Sequence, residues 1–445
     1  MITDMTEGNI PKTLAAFTFP MLVSVMFQQI YNIADSMIAG RFVGEGALAA
    51  IGASYPITML FMAVAVGCNI GCSVVISQLF GGRRFGELKT AVTTTLLSSL
   101  GLSLLLTGAG LPLCGLLLEG LNTPGNIFAD AGTYLGIYTG GLAFLFLYNV
   151  CTGIFTALGD SRTPLYFLIG SSVGNILLDL LLVTVIPLGV AGVAWATFIA
   201  QGAACVLSGL TLFRRLRQLP AGEPHQLFSL EMLGRIARVA VPSILQQSFI
   251  SVGNLCVQVL INGYGSAAIA GYSAAVKLNT FAITSMTTLG NGVSSFTAQN
   301  LGAGKPERVR RGLWTGVVLA GAVSLLFFGA CFFGSRELIG LFLERGSREA
   351  AEVGRQFLRI VAPFYPVIAV KLMADGVLRG AGAMGSFMVA TFTDLILRVI
   401  LAYILSPVMG LAGIWSAWPA GWIVAMVLSG VFYFSGVWKR KWTVY

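Results

Sequence analysis

Charge is the scarcest property of this sequence. Of 445 residues only 10% are Asp, Glu, Lys or Arg, against 56% hydrophobic, and the mean hydropathy is +0.84. A water-soluble chain of this length needs far more charge to cover its surface, which excludes a soluble globular protein. Histidine is almost missing: His225 stands alone in a polar stretch and reads as a solvated loop residue. The seven cysteines show no CxxC or metal-ligand spacing, and Cys68 and Cys72, four apart, read as packing. Signatures of zinc hydrolases, kinases, dinucleotide-binding folds and P-loops are all absent. The expectation is therefore a protein that is not an enzyme and carries no cofactor. The opening MITDMTEGNIPK is polar and lacks the short apolar core of a cleavable signal peptide.

What remains is apolar sequence in long runs. Stretches of roughly 20 residues or more recur from Phe17 onward, each enough to cross a hydrocarbon core of about 30 Å. They predict an all-α membrane protein with twelve spans at 13–40, 48–80, 91–118, 130–158, 162–187, 189–213, 235–262, 268–300, 311–343, 352–380, 384–408 and 410–438. Glycine is abundant, at 55 residues, as expected where helices approach closely in lipid. The net charge of +9 is a matter of placement. Eighteen of the 27 basic residues fall near the termini or in even-numbered loops, among them Arg83, Arg84, Lys89, Arg214, Arg215, Arg217, Lys305, Arg308 and Arg379. Six (Arg41, Arg336, Arg345, Arg348, Arg355 and Arg359) fall toward the opposite face, and Lys277, Lys371 and Arg398 lie inside spans. Positive loops stay inside, so both termini are expected in the cytoplasm of a multi-pass inner-membrane protein. The surplus is a topology signal, and no nucleic-acid partner is expected.

The chain also repeats itself. Gly44-Glu-Gly-Ala-Leu-Ala returns as Gly265-Ser-Ala-Ala-Ile-Ala, SQLFGGRR (Ser77 to Arg84) as AQNLGAGK (Ala298 to Lys305), and Gly189-Val-Ala-Gly as Gly410-Leu-Ala-Gly, all at an offset of 221 positions. A duplicated apolar chain is the mark of a transporter whose halves flank a central path. Six spans per half place the copies in parallel, as two six-helix bundles related by a pseudo-twofold axis along the membrane normal. The expected boundaries are 1–213 for the first lobe, 214–234 for a cytoplasmic linker and 235–445 for the second lobe.

Four aspartates fall inside predicted spans, away from their first residues: Asp35, Asp179, Asp375 and Asp394. An ionisable group in a bilayer is costly and marks function by default. Asp375 follows Lys371 by four residues and Asp394 precedes Arg398 by four, so each can form an intrahelical ion pair, structural or gating. Asp35 and Asp179 have no basic residue one turn away, and both fall in the outer half of the bilayer at similar depth. Asn175 precedes Asp179 by one turn, Tyr31 precedes Asp35 by one turn, and Gln28 and Asn32 add polar atoms. These residues outline an acidic pocket suited to a proton or a sodium ion, whose hydration shell carboxylate and amide oxygens can replace. Pro20 offers the first span a bend. The symmetry fails at the acids, because the matching seventh span carries Pro242, Gln246, Gln247 and Asn254 but no carboxylate.

Over essentially its whole length the chain resembles the multidrug and toxic compound extrusion (MATE) transporters. The resemblance is carried by Pro20 with FQQIYNIADSMIAGRFVG, the SQLFGGRR and AQNLGAGK pair, LGDSRTPL (Leu158 to Leu165), GNILLDLLL (Gly174 to Leu182) and VLRGAG (Val377 to Gly382). The first-lobe pattern looks like the DinF-like branch. The resemblance implies that Asp35, Asn175 and Asp179 form the coupling core, with Thr197 and Tyr31 in support and Pro20 as the bend. It implies a monomeric antiporter that exports organic cations, drugs or toxins by alternating access in exchange for H⁺ or Na⁺. The NorM-like branch places a glutamate on the seventh span, which this sequence lacks. A lipid-linked oligosaccharide flippase is the alternative, favoured by the basic Lys277, Lys371 and Arg398.

Overall fold

The computed structural model describes residues 3–220, 224–343 and 347–442. Residues 221–223 of the expected linker and Arg345 lie outside it. Among the described residues the chain is helical throughout. The helices are α1 (Ile10–Ile38), α2 (Glu45–Gly81), α3 (Phe85–Gly120), α4 (Gly125–Gly140), α5 (Leu142–Ala157), α6 (Arg162–Leu180), α7 (Val190–Arg217), α8 (Leu230–Asn262), α9 (Ser266–Gly302), α10 (Pro306–Phe333), α11 (Ser335–Gly340), α12 (Arg348–Val361), α13 (Tyr365–Gly380), α14 (Met384–Met409), α15 (Leu411–Phe434) and α16 (Val437–Trp442). Short π-helical turns finish α1 (Ala39–Val43) and α6 (Leu181–Val185).

Ten of these helical stretches are long and apolar enough to span a bilayer, and the pair α4–α5, bent by 49° at Gly141, supplies an eleventh. The remaining expected span is α9, which is long but polar. Its Ser294, Ser295, Thr297, Gln299 and Asn300 are buried in protein, so they never meet lipid and the helix need not be apolar. The fold is an all-α membrane protein of twelve spans in two bundles. Pro20 lies inside α1, which continues as helix on both sides of it.

The repeat is visible in backbone geometry. The helices α2 and α9 are each 37 residues long and begin after Gly44 (φ 118°) and Gly265 (φ 90°). Gly189 (φ 60°, ψ −134°) precedes α7, and Gly410 (φ 61°, ψ −140°) precedes α15. Side chains rarely adopt that backbone, which explains why glycine recurs at both positions.

Packing divides the chain into two compact units whose boundaries cut through α1 and α8. One unit holds residues 1–4 and 23–247, the other 5–22 and 248–445. The expected boundaries put all of α1 in the first lobe and all but the first five residues of α8 in the second, whereas packing places the start of each helix with the other unit. In the first unit, Met232, Ile236 and Ala240 of α8 join a core with Cys72, Ile76, Leu88, Val92, Phe155 and Leu212. A Cβ on Gly71 of α2 would come within 2.5 Å of Ala240 Cβ. In the second unit, Leu14 and Phe17 of α1 are buried, and a Cβ on Gly292 of α9 would come within 2.4 Å of Thr18 Cγ2. Gly71 and Gly292 are again 221 positions apart, so each copy uses the same glycine to admit the helix that starts the other. Lipid tails are as apolar as leucine, so close approach of this kind does much of the work of holding helices together in a membrane.

The polar lead-ins to these two helices are tied down as well. Thr90 and Thr94 Oγ1 accept from Gln226 N (3.0 Å) and Ser229 N (3.1 Å), fixing the segment before α8 along α3. Arg308 donates to the carbonyls of Met5 (3.3 Å), Glu7 (3.0 Å) and Gly8 (3.0 Å), and Lys305 Nζ to that of Thr6 (3.0 Å). His225 is exposed, as expected of a loop residue.

Candidate functional site

The first unit gathers its polar side chains where α1 and α6 approach their π turns. Asn175 and Asp179 occupy successive turns of α6 and are both buried. Asn175 Nδ2 donates to Asp179 Oδ2 (2.6 Å), and its Oδ1 accepts from the Tyr31 hydroxyl (2.9 Å). Having a pure acceptor on one side and a hydroxyl donor on the other fixes which way the amide points. The side chain of Asp35, half-buried on α1, comes within hydrogen-bond reach of Asp179. Yet Asp35 Oδ1 and Asp179 Oδ1 are enclosed without any donor. Two carboxylates offer acceptors only, so together they call for one positive charge, a shared proton or a small cation.

Thr197 on α7 lies within hydrogen-bond reach of Tyr31, and its Oγ1 also donates to Val193 O (3.2 Å). Tyr134 on α4 is an electrostatic neighbour of both carboxyl groups, and it stacks on Tyr138 at 6.4 Å. Tyr134, Tyr138, Thr197, Phe198 and Gln201 line a narrow cleft at the α4–α5 bend. The two π turns pack on each other just beyond the acids, where Ala39, Val183 and Val193 form a small apolar core with Val43 and Ile51. π turns of this kind concentrate at functional sites.

Sequence reasoning missed Tyr134 and the π turns. Tyr134 carries no charge, and the two carboxyl groups it neighbours lie on other helices, which spacing along α4 does not reveal. Other expected residues lie elsewhere: Gln28 and Asn32 are exposed on α1, and Gln246 and Gln247 are half-buried on α8. Lys277 is exposed on α9, its Nζ 5.7 Å from the centre of the Phe342 ring.

The second unit buries a different set. Lys371 Nζ pairs with Asp375 Oδ2 at 2.7 Å, and Ser429 Oγ donates to Asp375 Oδ1 at 2.6 Å. The second expected pair does not form. Among the described residues Asp394 and Arg398 make no ion pair, and the Arg398 guanidinium lies instead over the Trp418 ring, 4.4 Å from its centre. Arg379, grouped by sequence with the loop residues, is a buried member of α13 and donates to Asn291 Oδ1 at 2.5 Å.

With this geometry in view, comparison with known proteins settles the family. A profile of the MatE family matches residues 20–181 and 242–404, one block in each copy of the repeat. The chain belongs to the MatE family. It is 30% identical over 437 residues to a probable multidrug resistance protein, YpnP, of Bacillus subtilis, covering 98% of this chain and 97% of that one. It is 23% identical to the multidrug export protein MepA of Staphylococcus aureus, covering 91% and 89%. Among solved structures, an outward-facing multidrug resistance MATE transporter of the MOP superfamily matches with a TM-score of 0.90 at 23% identity, over 98% of each chain. The fold of this MatE member is therefore that of the MATE transporters, and its two family blocks coincide with the two halves inferred from the repeat.

Proposed function

We propose that the protein is a cation-coupled exporter of organic compounds, drugs and toxins among them, exchanging them for H⁺ or Na⁺ by alternating access across the cytoplasmic membrane, with both termini inside. The observation that carries this reading is the Asp35–Asp179 pair, two carboxyl groups in mutual reach with enclosed Oδ1 atoms that no donor satisfies. One cation halves the charge of the pair, and its departure leaves two like charges together in a low-dielectric setting. Tyr31 and Asn175 hold Asp179 in place, so the energy of cation binding is spent on the α1–α6 geometry. A coupling ion that binds one arrangement of α1 more tightly, and a solute that prefers the other, are enough for a gradient to move the solute. The names of YpnP and MepA supply the substrate class, multidrug export.

The flippase alternative has less support. It draws on the basic residues of the second lobe, but Lys371 is neutralised by Asp375 and Lys277 is exposed beside Phe342. The test supplies a fluorescent organic cation from outside to everted membrane vesicles, with sodium and proton gradients imposed separately, and reads uptake. One gradient should drive transport, and Asp35→Asn or Asp179→Asn should abolish it. Undiminished transport in both variants overturns the coupling assignment.

A further inference from the structure

Five charged side chains are buried together in the second unit: Lys371, Asp375 and Arg379 on α13, and Asp394 and Arg398 on α14. Lys371 and Asp375 form an ion pair, Arg379 is an electrostatic neighbour of Asp375, and Asp394 of Arg398, Lys371 and Asp375. Three cations against two carboxylates leave this enclosed group short of one negative charge. Burying net charge is expensive in protein and more so in a membrane, and it favours capture of a counter-ion.

The shortage is localised. Lys371 has Asp375, and Arg379 has Asn291. Arg398, only 6% exposed, has neither a hydrogen-bond acceptor nor a carboxylate within ion-pair distance among the described residues. Its guanidinium lies over Trp418, which is braced edge-on by Phe357 (5.8 Å) and Trp422 (6.2 Å). Its nitrogens are not sealed: unlike Arg379 Nε, none is among the fully enclosed atoms without a partner. Asp394 is one turn away, but its Oδ1 is enclosed beside Gly421, where a Cβ would approach it to 2.5 Å. Asp394 is thus an electrostatic neighbour of Arg398 that makes no ion pair with it. A buried arginine with its fork unoccupied and its face supported by an indole is built to take an oxyanion in bidentate fashion.

We propose that Arg398, backed by Trp418, is a specificity-determining residue that recognises the carboxylate of an aromatic solute. This assignment rests on the exporter reading for its occupant, and on the geometry of Arg398 alone for its site. Chloride could present the same single negative charge, and the test separates the two sources.

The probes are a rhodamine bearing a free benzoate and its methyl ester, which share one ring system and differ in the carboxylate. Binding to purified protein is measured by fluorescence polarisation, and transport in everted vesicles. Wild type should bind the acid more tightly than the ester, and Arg398→Gln should lower the acid-to-ester affinity ratio by about tenfold or more, the loss of one charged hydrogen-bonding partner. Arg398→Lys retains the charge and the bulk, guards against a misfolded variant, and should lose a good part of the preference with the fork. Asp394→Asn should raise acid affinity, because it deepens the charge deficit; a counter-ion role for Asp394 predicts a loss instead. An unchanged ratio in Arg398→Gln, or a parallel fall for both dyes, overturns the proposal. If raising chloride tenfold displaces the acid, a free inorganic anion is the occupant and the solute assignment falls. If wild-type vesicles move neither dye, the exporter reading fails, while the binding ratio still decides the site.

Discussion

In the first unit, Asp35 and Asp179 each keep an Oδ1 without a donor, and the polar groups around them are a tyrosine, an amide and a threonine. In the second, Asp375 has Lys371 Nζ at 2.7 Å and Ser429 Oγ at 2.6 Å. One scaffold, copied, therefore carries two ways of burying charge. A carboxylate whose counter-charge is built into the chain is insulated from ion gradients. A carboxylate whose counter-charge must come from solution is exposed to them. This is why we propose the first unit, and not the second, as the place where a coupling ion binds.

The sharpest way to break that contrast is to remove one acid from the first unit. Asp179→Asn leaves the shape almost intact but takes away the charge that a cation answers. Gradient-driven efflux should drop by about 100-fold or more, in line with breaking an electrostatic interaction of a few kcal/mol in a dry setting. The protein should still unfold near the wild-type temperature, since the lost carboxylate had no fixed partner of opposite charge. A large fall in melting temperature with residual coupled transport would show that the acid pair is structural.

The mirror experiment acts on stability. Lys371→Met strands Asp375 in the interior without its cation, which is expected to cost about 3–5 kcal/mol. The double variant Lys371→Met/Asp375→Leu removes both charges and should recover most of that loss, because a buried pair contributes little beyond satisfying itself. Thermal unfolding in detergent, read across the double-mutant cycle, checks it. Single and double variants equally destabilised would mean that the pair is held by more than mutual neutralisation.

Much of this was legible from sequence, and the failures have physical causes. Spans, repeat and the Tyr31, Asn175 and Asp179 constellation follow from apolar length and from helical spacing, which are local properties. Arg379 was counted with the loop charges because it stands one residue from the end of the 352–380 span, though α13 buries it. The Asp394–Arg398 spacing permitted an ion pair, but Trp418 from α15 competes for the guanidinium, and a cross-helix partner is invisible to i,i+4 counting. The exchange of helix starts at Gly71 and Gly292 is a tertiary property of the same kind.

Within the first unit the supporting residues can be ranked. Asn175→Leu removes the donor to Asp179 and strands the Tyr31 hydroxyl, so transport should fall by about 10- to 100-fold, the range for a hydrogen bond to a charged group. Tyr31→Phe removes a neutral donor and should cost about fivefold. Efflux rates at saturating ion gradient measure both. If Tyr31→Phe is the more damaging, the hydroxyl's proximity to Thr197 and Asp35, rather than its hold on Asn175, is what matters.

The smallest effects test the scaffold that the two copies share. Gly410→Ala places a side chain at φ 61° and ψ −140°, a region that is essentially glycine's own, and should cost about 1–3 kcal/mol. Gly189→Ala should match it, since its angles (φ 60°, ψ −134°) are nearly the same. Gly304→Ala should cost less, about 1 kcal/mol. Gly304 has φ 71°, and 221 positions earlier the first copy places Arg83 at φ 55°, so this turn demonstrably accepts a side chain. Three melting curves decide the order. Equal losses at Gly304 and Gly410 would mean that backbone conformation does not explain which glycines the repeat retains.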